Sequence, residues 1–188
     1  MAQDIRIKKT KQNIEKALLA LLNKKEFRSI TIGNICEEAL TSRSTFYLHY
    51  LDKYDLLEKI VSNQTALFQD IVKKRINSLF NNNFEISLIE FYNEIEKQKD
   101  IIQSLFHVTE QGYDLKKNYK ETLFYYWKKY LDIQFTETAV STELIATFGT
   151  DIVLDILDWT LTHGVDSAAL AYGEKLHQKI LFPLSEKT

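Results

Sequence analysis

Apolar residues recur at helical spacing along nearly the whole chain, and few residues between them break helices. In the first apolar stripe, Ile14, Ala17, Leu18, Leu21 and Leu22 stand mostly three or four positions apart, as on one face of an α-helix. The 188 residues include only 5 Gly and 1 Pro, so little interrupts such helices. The pattern therefore predicts an all-α protein.

Turn signals between the stripes divide the chain into successive helices. Loops or stops are indicated by Asn81 to Asn83, by Gln111 to Asp114 with Gly112, by Gly164, and by Pro183, with Asp166 capping the last helix. The predicted helices run from about Lys9 to Lys25, Thr31 to Ala39, Ser42 to Tyr50, Lys53 to Phe80, Phe84 to Lys97, Lys99 to His107, the Gly112 break to Phe135, Ser141 to His163, and Asp166 to Phe182.

Between Thr31 and Leu57, three helix starts follow one another closely. Thr31 precedes an apolar stripe and is a suitable N-cap, because its hydroxyl can accept from free amides of the first turn. Leu40 and Thr41 form a turn, and Ser42 is a second N-cap. Asp52 is a third, with Asp55 three residues on. This is the layout of a helix-turn-helix, whose second helix enters the major groove of DNA.

The residue types of the second short helix suit that position. Between the apolar Phe46 and Tyr50, this helix offers a guanidinium, hydroxyls and an imidazole, from Arg43, Ser44, Thr45, Tyr47 and His49. Such groups reach phosphates and base edges. Lys53 begins the next helix, where it and the free amides could hold a phosphate.

The segment from about Ile14 to Ile60 resembles the DNA-binding domain of the tetracycline-repressor (TetR) family. The resemblance lies in T-I-x-x-I-x-x-x-A, then S-x-x-T-F-Y-x-H-Y, then D-K-x-x-L-L. It implies core positions for Phe46 and Tyr50, and base-facing positions for Arg43 and Ser44. With the two caps included, the expected DNA-binding set is Thr31, Ser42, Arg43, Ser44, Thr45, Tyr47, His49 and Lys53.

Two residues depart from the family pattern. Leu40 occupies the turn position where the family usually has Gly, and a branched residue in a left-handed conformation is costly. We therefore expect the turn to be either strained or built differently. Gly33 stands where the family often has a polar or basic side chain, so no base contact is expected from that position.

The charge distribution agrees with DNA binding by one end of the chain. Residues 1–61 carry 11 Lys and Arg against 8 Asp and Glu, whereas residues 62–188 carry 13 against 18, and the whole chain has a net charge of −2. A basic end on an acidic body suits a nucleic-acid partner. We predict a DNA-binding head over residues 1–52 and a helical ligand-binding and dimerisation body over residues 53–188. The basic residues 1–11 are either a frayed terminus or an arm on the DNA backbone.

The last two predicted helices carry an apolar stripe each. In the TetR family these helices pair with their copies in a four-helix dimer interface, and the alternative is an internal core pair. The resemblance implies a homodimer through Ile145, Phe148, Gly149, Ile152, Ile156, Leu176 and Ile180.

The middle of the chain is rich in aromatic residues. They form either an ordinary core or the wall of an apolar pocket, with polar groups from Glu110, Gln111 and His163. Because the family binds small effectors in this region, the resemblance implies a pocket for a small apolar or aromatic effector. Its expected residues are Phe91, Tyr92, Phe106, His107, Phe124, Trp127 and Trp159.

No catalytic motif stands out, so we expect no enzyme, no cofactor and no metal site. The lone Cys36 is interpreted as a buried small hydrophobe, and its isolation favours a reducing cytoplasm. No apolar run is long enough to span a bilayer. The sequence thus favours a homodimeric, cytoplasmic transcription regulator, with repression preferred on family habit. The alternatives are a regulator controlled by a protein partner and a helical interaction protein that does not bind DNA.

Overall fold

The structure is a computed structural model that describes residues 2–80, 91–135 and 140–164, together with residues 168, 171–173, 175, 176 and 179. Every regular element in this part of the chain is helical, which confirms the all-α prediction. The elements are α1 (Ala2–Leu22), a 3₁₀ helix (Phe27–Ser29), α2 (Ile32–Glu38), α3 (Arg43–Tyr47), α4 (Lys53–Phe80), α5 (Lys99–Leu105), α6 (Leu115–Gln134) and α7 (Thr142–His163). Residues 91–96 are also helical.

Two helix boundaries differ clearly from the predictions. Helix α1 begins at Ala2 instead of Lys9, because the polar residues ahead of Lys9 include no Gly or Pro and can continue the helix. Helix α3 ends at Tyr47 instead of Tyr50. The amides of His49 and Tyr50 both bond to the carbonyl of Phe46, which closes the helix in a tight turn. The predicted loop at Asn81 to Asn83, the helix start at Phe84, the Asp166 cap and the Pro183 stop lie outside the described residues.

The chain forms two compact units. The first contains Met1–Thr65 and Asp100–Leu115, and the second contains Ala66–Lys99 and Lys116–Thr188. Helix α4 begins in the first unit and ends in the second, while α5 belongs to the first. The predicted division between residues 52 and 53 concerns function, and it stays a prediction.

The core of the first unit combines aliphatic side chains of α1 with buried aromatic rings. Ile14, Ala17, Leu18 and Leu21 of α1 are at most 6% exposed, which confirms the predicted stripe except at Leu22, which is half-buried. Phe46 and Tyr50 are buried as well, as the resemblance implied, and so is Cys36. Burying each large apolar side chain contributes about 1.5–3 kcal/mol.

The core of the second unit contains several aromatic rings among aliphatic side chains such as Leu131 and Leu157. Phe68 stacks on Tyr119 with the ring centroids 3.7 Å apart and the planes 5° apart. Phe91 meets the edge of Tyr92, and Trp127 is 2% exposed. None of the described helices has both the length and the apolar character needed to cross a lipid bilayer.

Candidate nucleic-acid interface

The start of α2 is held by a reciprocal pair of hydrogen bonds. Thr31 Oγ1 accepts from the amide of Asn34, and Asn34 Oδ1 accepts from the amide of Thr31, both at 3.1 Å. Lys25 Nζ also donates to Asn34 Oδ1 at 3.1 Å. Two free amides of the helix start are thereby satisfied, and the predicted cap at Thr31 is confirmed.

The turn between α2 and α3 is strained at Leu40. This residue has a φ of +51°, in the left-handed region that leucine disfavours. The amide of Thr41 donates to the carbonyl of Cys36 at 2.9 Å and closes the turn. The Leu40 side chain is 94% exposed, so no burial of apolar surface offsets the strain. Of the two expectations for this turn, the strained one holds.

The start of α3 is a cluster of three hydroxyl groups. Ser42 Oγ accepts from the amide of Thr45 at 3.1 Å, which confirms the predicted cap. The same oxygen lies 2.8 Å from Ser44 Oγ and 2.9 Å from Thr45 Oγ1. These hydrogen bonds hold the backbone at the start of α3.

Several of the predicted contact residues form an accessible face on and beside α3. Arg43, Ser44 and Tyr47 are exposed, whereas Thr45 and His49 are half-buried. Across the described residues, Arg43 makes neither a hydrogen bond nor an ion pair. Its guanidinium donors are therefore available to a partner. Behind this face, Tyr50 donates to Glu15 Oε1 at 3.0 Å, and its pKa is raised by burial and by Glu15.

The start of α4 confirms the predicted cap at Asp52. Asp52 Oδ1 accepts from the amides of Tyr54 and Asp55, both at 2.8 Å. Asp55 Oδ2 accepts from the amide of Leu51 at 2.9 Å and from Lys59 Nζ at 2.8 Å. The hydrogen bonds from Lys59 and Leu51 hold the pKa of Asp55 below its usual range.

The Lys53 side chain makes contacts within the chain that the sequence pattern did not indicate. Its Nζ donates to the carbonyls of Phe27, Arg28 and Ile30 at 3.0, 3.0 and 2.8 Å. The ammonium also lies 4.6 Å from the centroid of the Phe27 ring. Burial lowers the pKa of Lys53, while the Glu110 carboxylate acts in the opposite direction. All three ammonium donors are engaged within the chain, so in this structure Lys53 holds the 3₁₀ helix and offers no free donor to a phosphate.

The segment after α5 contributes to the same unit. Glu110 Oε1 accepts from Arg28 Nε at 2.8 Å, and the Tyr113 ring lies 6.1 Å from that of Tyr54. These partners are 82 and 59 positions apart in the chain, so no local pattern could have indicated them.

The proteins to which this chain is similar include transcriptional regulators. No family model matches the chain. The chain is 38% identical over 50 residues to the helix-turn-helix transcriptional regulator YxbF of Bacillus subtilis, covering 27% of this chain and 13% of that protein. It is 28% identical over 119 residues to the regulator YvkB of the same organism, covering 57% and 62%. The chain thus matches less than two thirds of the length of either relative.

The solved structures extend the comparison to the whole fold. A TetR transcriptional regulator from Streptococcus agalactiae 2603V matches with a TM-score of 0.66 and 24% identity, covering 94% of this chain and 98% of the other. The fold is TetR-like. The dihydroxyacetone kinase operon activator DhaS matches with a TM-score of 0.51 and 20% identity, covering 94% of each chain. At these identities the likeness concerns the fold alone, and it confirms the fold that the sequence resemblance implied.

The predicted effector-pocket residues come from both compact units of this TetR-like chain, and the pocket itself stays a prediction. Phe106 and His107 belong to the first unit, with Phe106 buried and His107 exposed. In the second unit, Phe91, Tyr92 and Trp127 line a cavity of about 20 Å³ together with Val72, Arg75, Ile76, Leu123 and Val153. That volume has room for about one water. Phe124 is half-buried. Trp159 is 40% exposed and stacks on His163 at 4.7 Å.

The predicted dimer residues divide between the interior and the surface of the TetR-like body. Ile145 and Gly149 are buried within the chain, and Phe148 is 51% exposed. Ile152, Ile156 and Leu176 are half-buried, and the Ile180 side chain is outside the described residues. A β-carbon at Gly173 would lie only 2.1 Å from Cδ1 of Ile156, so Ile156 contacts its own chain. Gly164 has a φ of +86° and caps α7, as predicted.

Proposed function

We propose that this TetR-like chain is a cytoplasmic, sequence-specific DNA-binding transcriptional regulator that acts as a homodimer by binding and not by catalysis. The observation that carries the proposal is the outer face of α3, where Arg43, Ser44 and Tyr47 are exposed on a helix capped by Ser42. A recognition helix needs accessible polar side chains on a rigid backbone. The excess of cations over anions in residues 1–61 supplies a favourable field for phosphates.

In this proposal the predicted contact residues have different tasks. Arg43, Ser44, Tyr47 and His49 meet DNA directly. The Thr31, Ser42 and Thr45 side chains first complete the helix starts, so their contacts to DNA are secondary to capping. Lys53 acts mainly by holding the 3₁₀ helix against the start of α4, because its three donors are engaged.

DNA binding is tested by selecting fragments from a random library with the purified full-length protein. The affinity of Tyr47→Ala for the selected sequence should then fall about tenfold, since a side chain that reaches DNA typically contributes 1–3 kcal/mol. Tyr125→Ala is the matched control, because Tyr125 is 58% exposed and Tyr47 is 56% exposed, but Tyr125 lies in the second unit. Failure to enrich any sequence would reject the proposal in favour of an interaction protein that does not bind DNA.

The homodimer part of the proposal is supported by the exposed apolar residues of α7. Leu144, Phe148 and Trp159 are 40–51% exposed, and an apolar helix surface of this kind suits a partner helix. Phe148→Glu should yield monomers by light scattering, because two carboxylates would be buried near the twofold axis. Ile133→Glu is the control, since Ile133 is 57% exposed on α6. A dimeric Phe148→Glu protein would place the interface elsewhere.

An effector would act through the aromatic second unit. Phe91, Tyr92 and Trp127 already share a small cavity, and a small apolar or aromatic molecule could enter only by widening it. Such a molecule must bind the state released from DNA more tightly than the DNA-bound state. Screening small molecules and cell extracts for loss of operator binding, with Trp127 emission as a second readout, separates a small effector from a protein partner. A reporter gene decides between repression, which family habit favours, and activation.

A further inference from the structure

Gly33 leaves a space on α2 that Arg43 occupies. A β-carbon added at Gly33 would lie 3.0 Å from Nη2 of Arg43 and 3.9 Å from Cζ. The backbone does not require glycine here, because the described glycines with positive φ are Gly112 and Gly164. Glycine within a helix is less favourable than alanine. The absence of a side chain at Gly33 therefore has its clearest consequence at Arg43.

Arg43 combines a place beside Gly33 with unused donors. It is the first residue of α3, its side chain is exposed, and it makes no hydrogen bond or ion pair within the described residues. The guanidinium lies in the space that a side chain at position 33 would need. Its charge also reaches Cys36, where it opposes the rise in the thiol pKa that burial causes.

We propose that Gly33 is a positioning residue for Arg43, and that the pair reads a guanine in each half-site of the operator. This inference rests on the proposed DNA-binding function. The planar guanidinium matches O6 and N7 of guanine in the major groove, and the first residues of a recognition helix are those that contact base edges. An arginine already confined against α2 loses less conformational freedom when it binds.

The test compares base preference at every position of the selected operator for four full-length proteins: wild type, Arg43→Ala, Gly33→Leu and the double variant. Arg43→Ala should lower the preference for guanine at one position of each half-site by about 10- to 100-fold. Gly33→Leu should lower the preference at the same position by about 2- to 10-fold. It should add nothing in the Arg43→Ala background, because Gly33 acts through Arg43. Gly33→Ala should have a smaller effect than Gly33→Leu, since its β-carbon displaces the guanidinium by only a few tenths of an ångström.

Thermal melting of each variant shows whether a change in base preference comes from a loss of stability. The atom that the new side chain meets is the flexible end of Arg43, so the Gly33 variants should melt no lower than wild type. A Gly33→Leu protein that keeps the wild-type preference would overturn the positioning role. An Arg43→Ala protein that binds all sequences more weakly by the same factor would overturn the guanine contact. If wild type enriches no sequence at all, the proposed DNA-binding function itself has failed.

Discussion

The two compact units both contain helix caps and ring contacts, but they differ in how closely the caps follow one another along the chain. In the first unit, three successive helices are capped by Thr31, Ser42 and Asp52, and Lys53 donates hydrogen bonds to backbone carbonyls. In the second unit, Ser141 caps α7, and the described ring contacts include Phe68 stacked on Tyr119 and Trp127 against Tyr130. Capping bonds require particular residue types at particular spacings, whereas many apolar side chains can fill an aromatic core. The first unit therefore carries a recognisable motif, and the second does not.

The largest effect should come from the aromatic core. Phe68→Ala removes a fully buried ring that stacks on Tyr119, and it should cost about 3–5 kcal/mol of unfolding free energy. Urea unfolding followed by tryptophan emission measures this, because both tryptophans lie in the second unit. Tyr125→Ala, at an exposed ring, should leave the midpoint nearly unchanged. Equal midpoints for the two variants would contradict the account of this core.

Among the polar interactions of the first unit, the hydrogen bonds of the Lys53 ammonium should contribute most to stability. Lys53→Met keeps most of the apolar stem but leaves three carbonyls without their donor, at a cost of about 2 kcal/mol. Lys59→Met is the matched control on the same helix, since Lys59 is half-exposed and pairs with Asp55. Circular dichroism during thermal unfolding should show a lower midpoint for Lys53→Met alone. If the two variants melt together, the carbonyl contacts do not contribute to stability.

The cap at Thr31 should contribute less than Lys53. Thr31→Ala removes the acceptor for the Asn34 amide and should cost about 1 kcal/mol. Thr31→Ser keeps the hydroxyl and should retain most of the stability. Denaturant unfolding of the two variants separates loss of the hydroxyl from loss of the methyl group. A larger loss for Thr31→Ser than for Thr31→Ala would contradict the capping role.

The smallest predicted effect is a gain in stability, from a substitution at Leu40. Leu40→Gly relieves the left-handed strain at an exposed side chain, but it also adds freedom to the unfolded chain. The net result should be a stabilisation of about 0.5–1 kcal/mol, visible as a higher thermal midpoint. Thr41→Gly is the comparison, because Thr41 does not have a positive φ and its replacement should only destabilise. A lower midpoint for Leu40→Gly would mean that the Leu40 side chain stabilises the turn.

Local patterns predicted the parts of the molecule that are built locally. The caps at Thr31, Ser42 and Asp52 and the end of α7 at Gly164 all depend on contacts within a few residues. The core positions of Phe46 and Tyr50 were implied by the family resemblance. The effector-pocket set was predicted from aromatic density in a stretch of sequence. Density does not say which rings face one another, so this set stays a prediction, with Phe106 and His107 in the first unit and Trp127 in the second.

The sequence by itself therefore determined the helical class, the helix-turn-helix and the side chains that α3 exposes, because helical periodicity and capping are local properties. Only the tertiary structure decided that Lys53 donates to three carbonyls more than 20 positions away and that residues 100–115 belong to the first unit. It alone also decided that Arg43 lies beside Gly33. These contacts join residues brought together by the packing of separate helices. The spacing of residues along the chain does not determine which helices pack together.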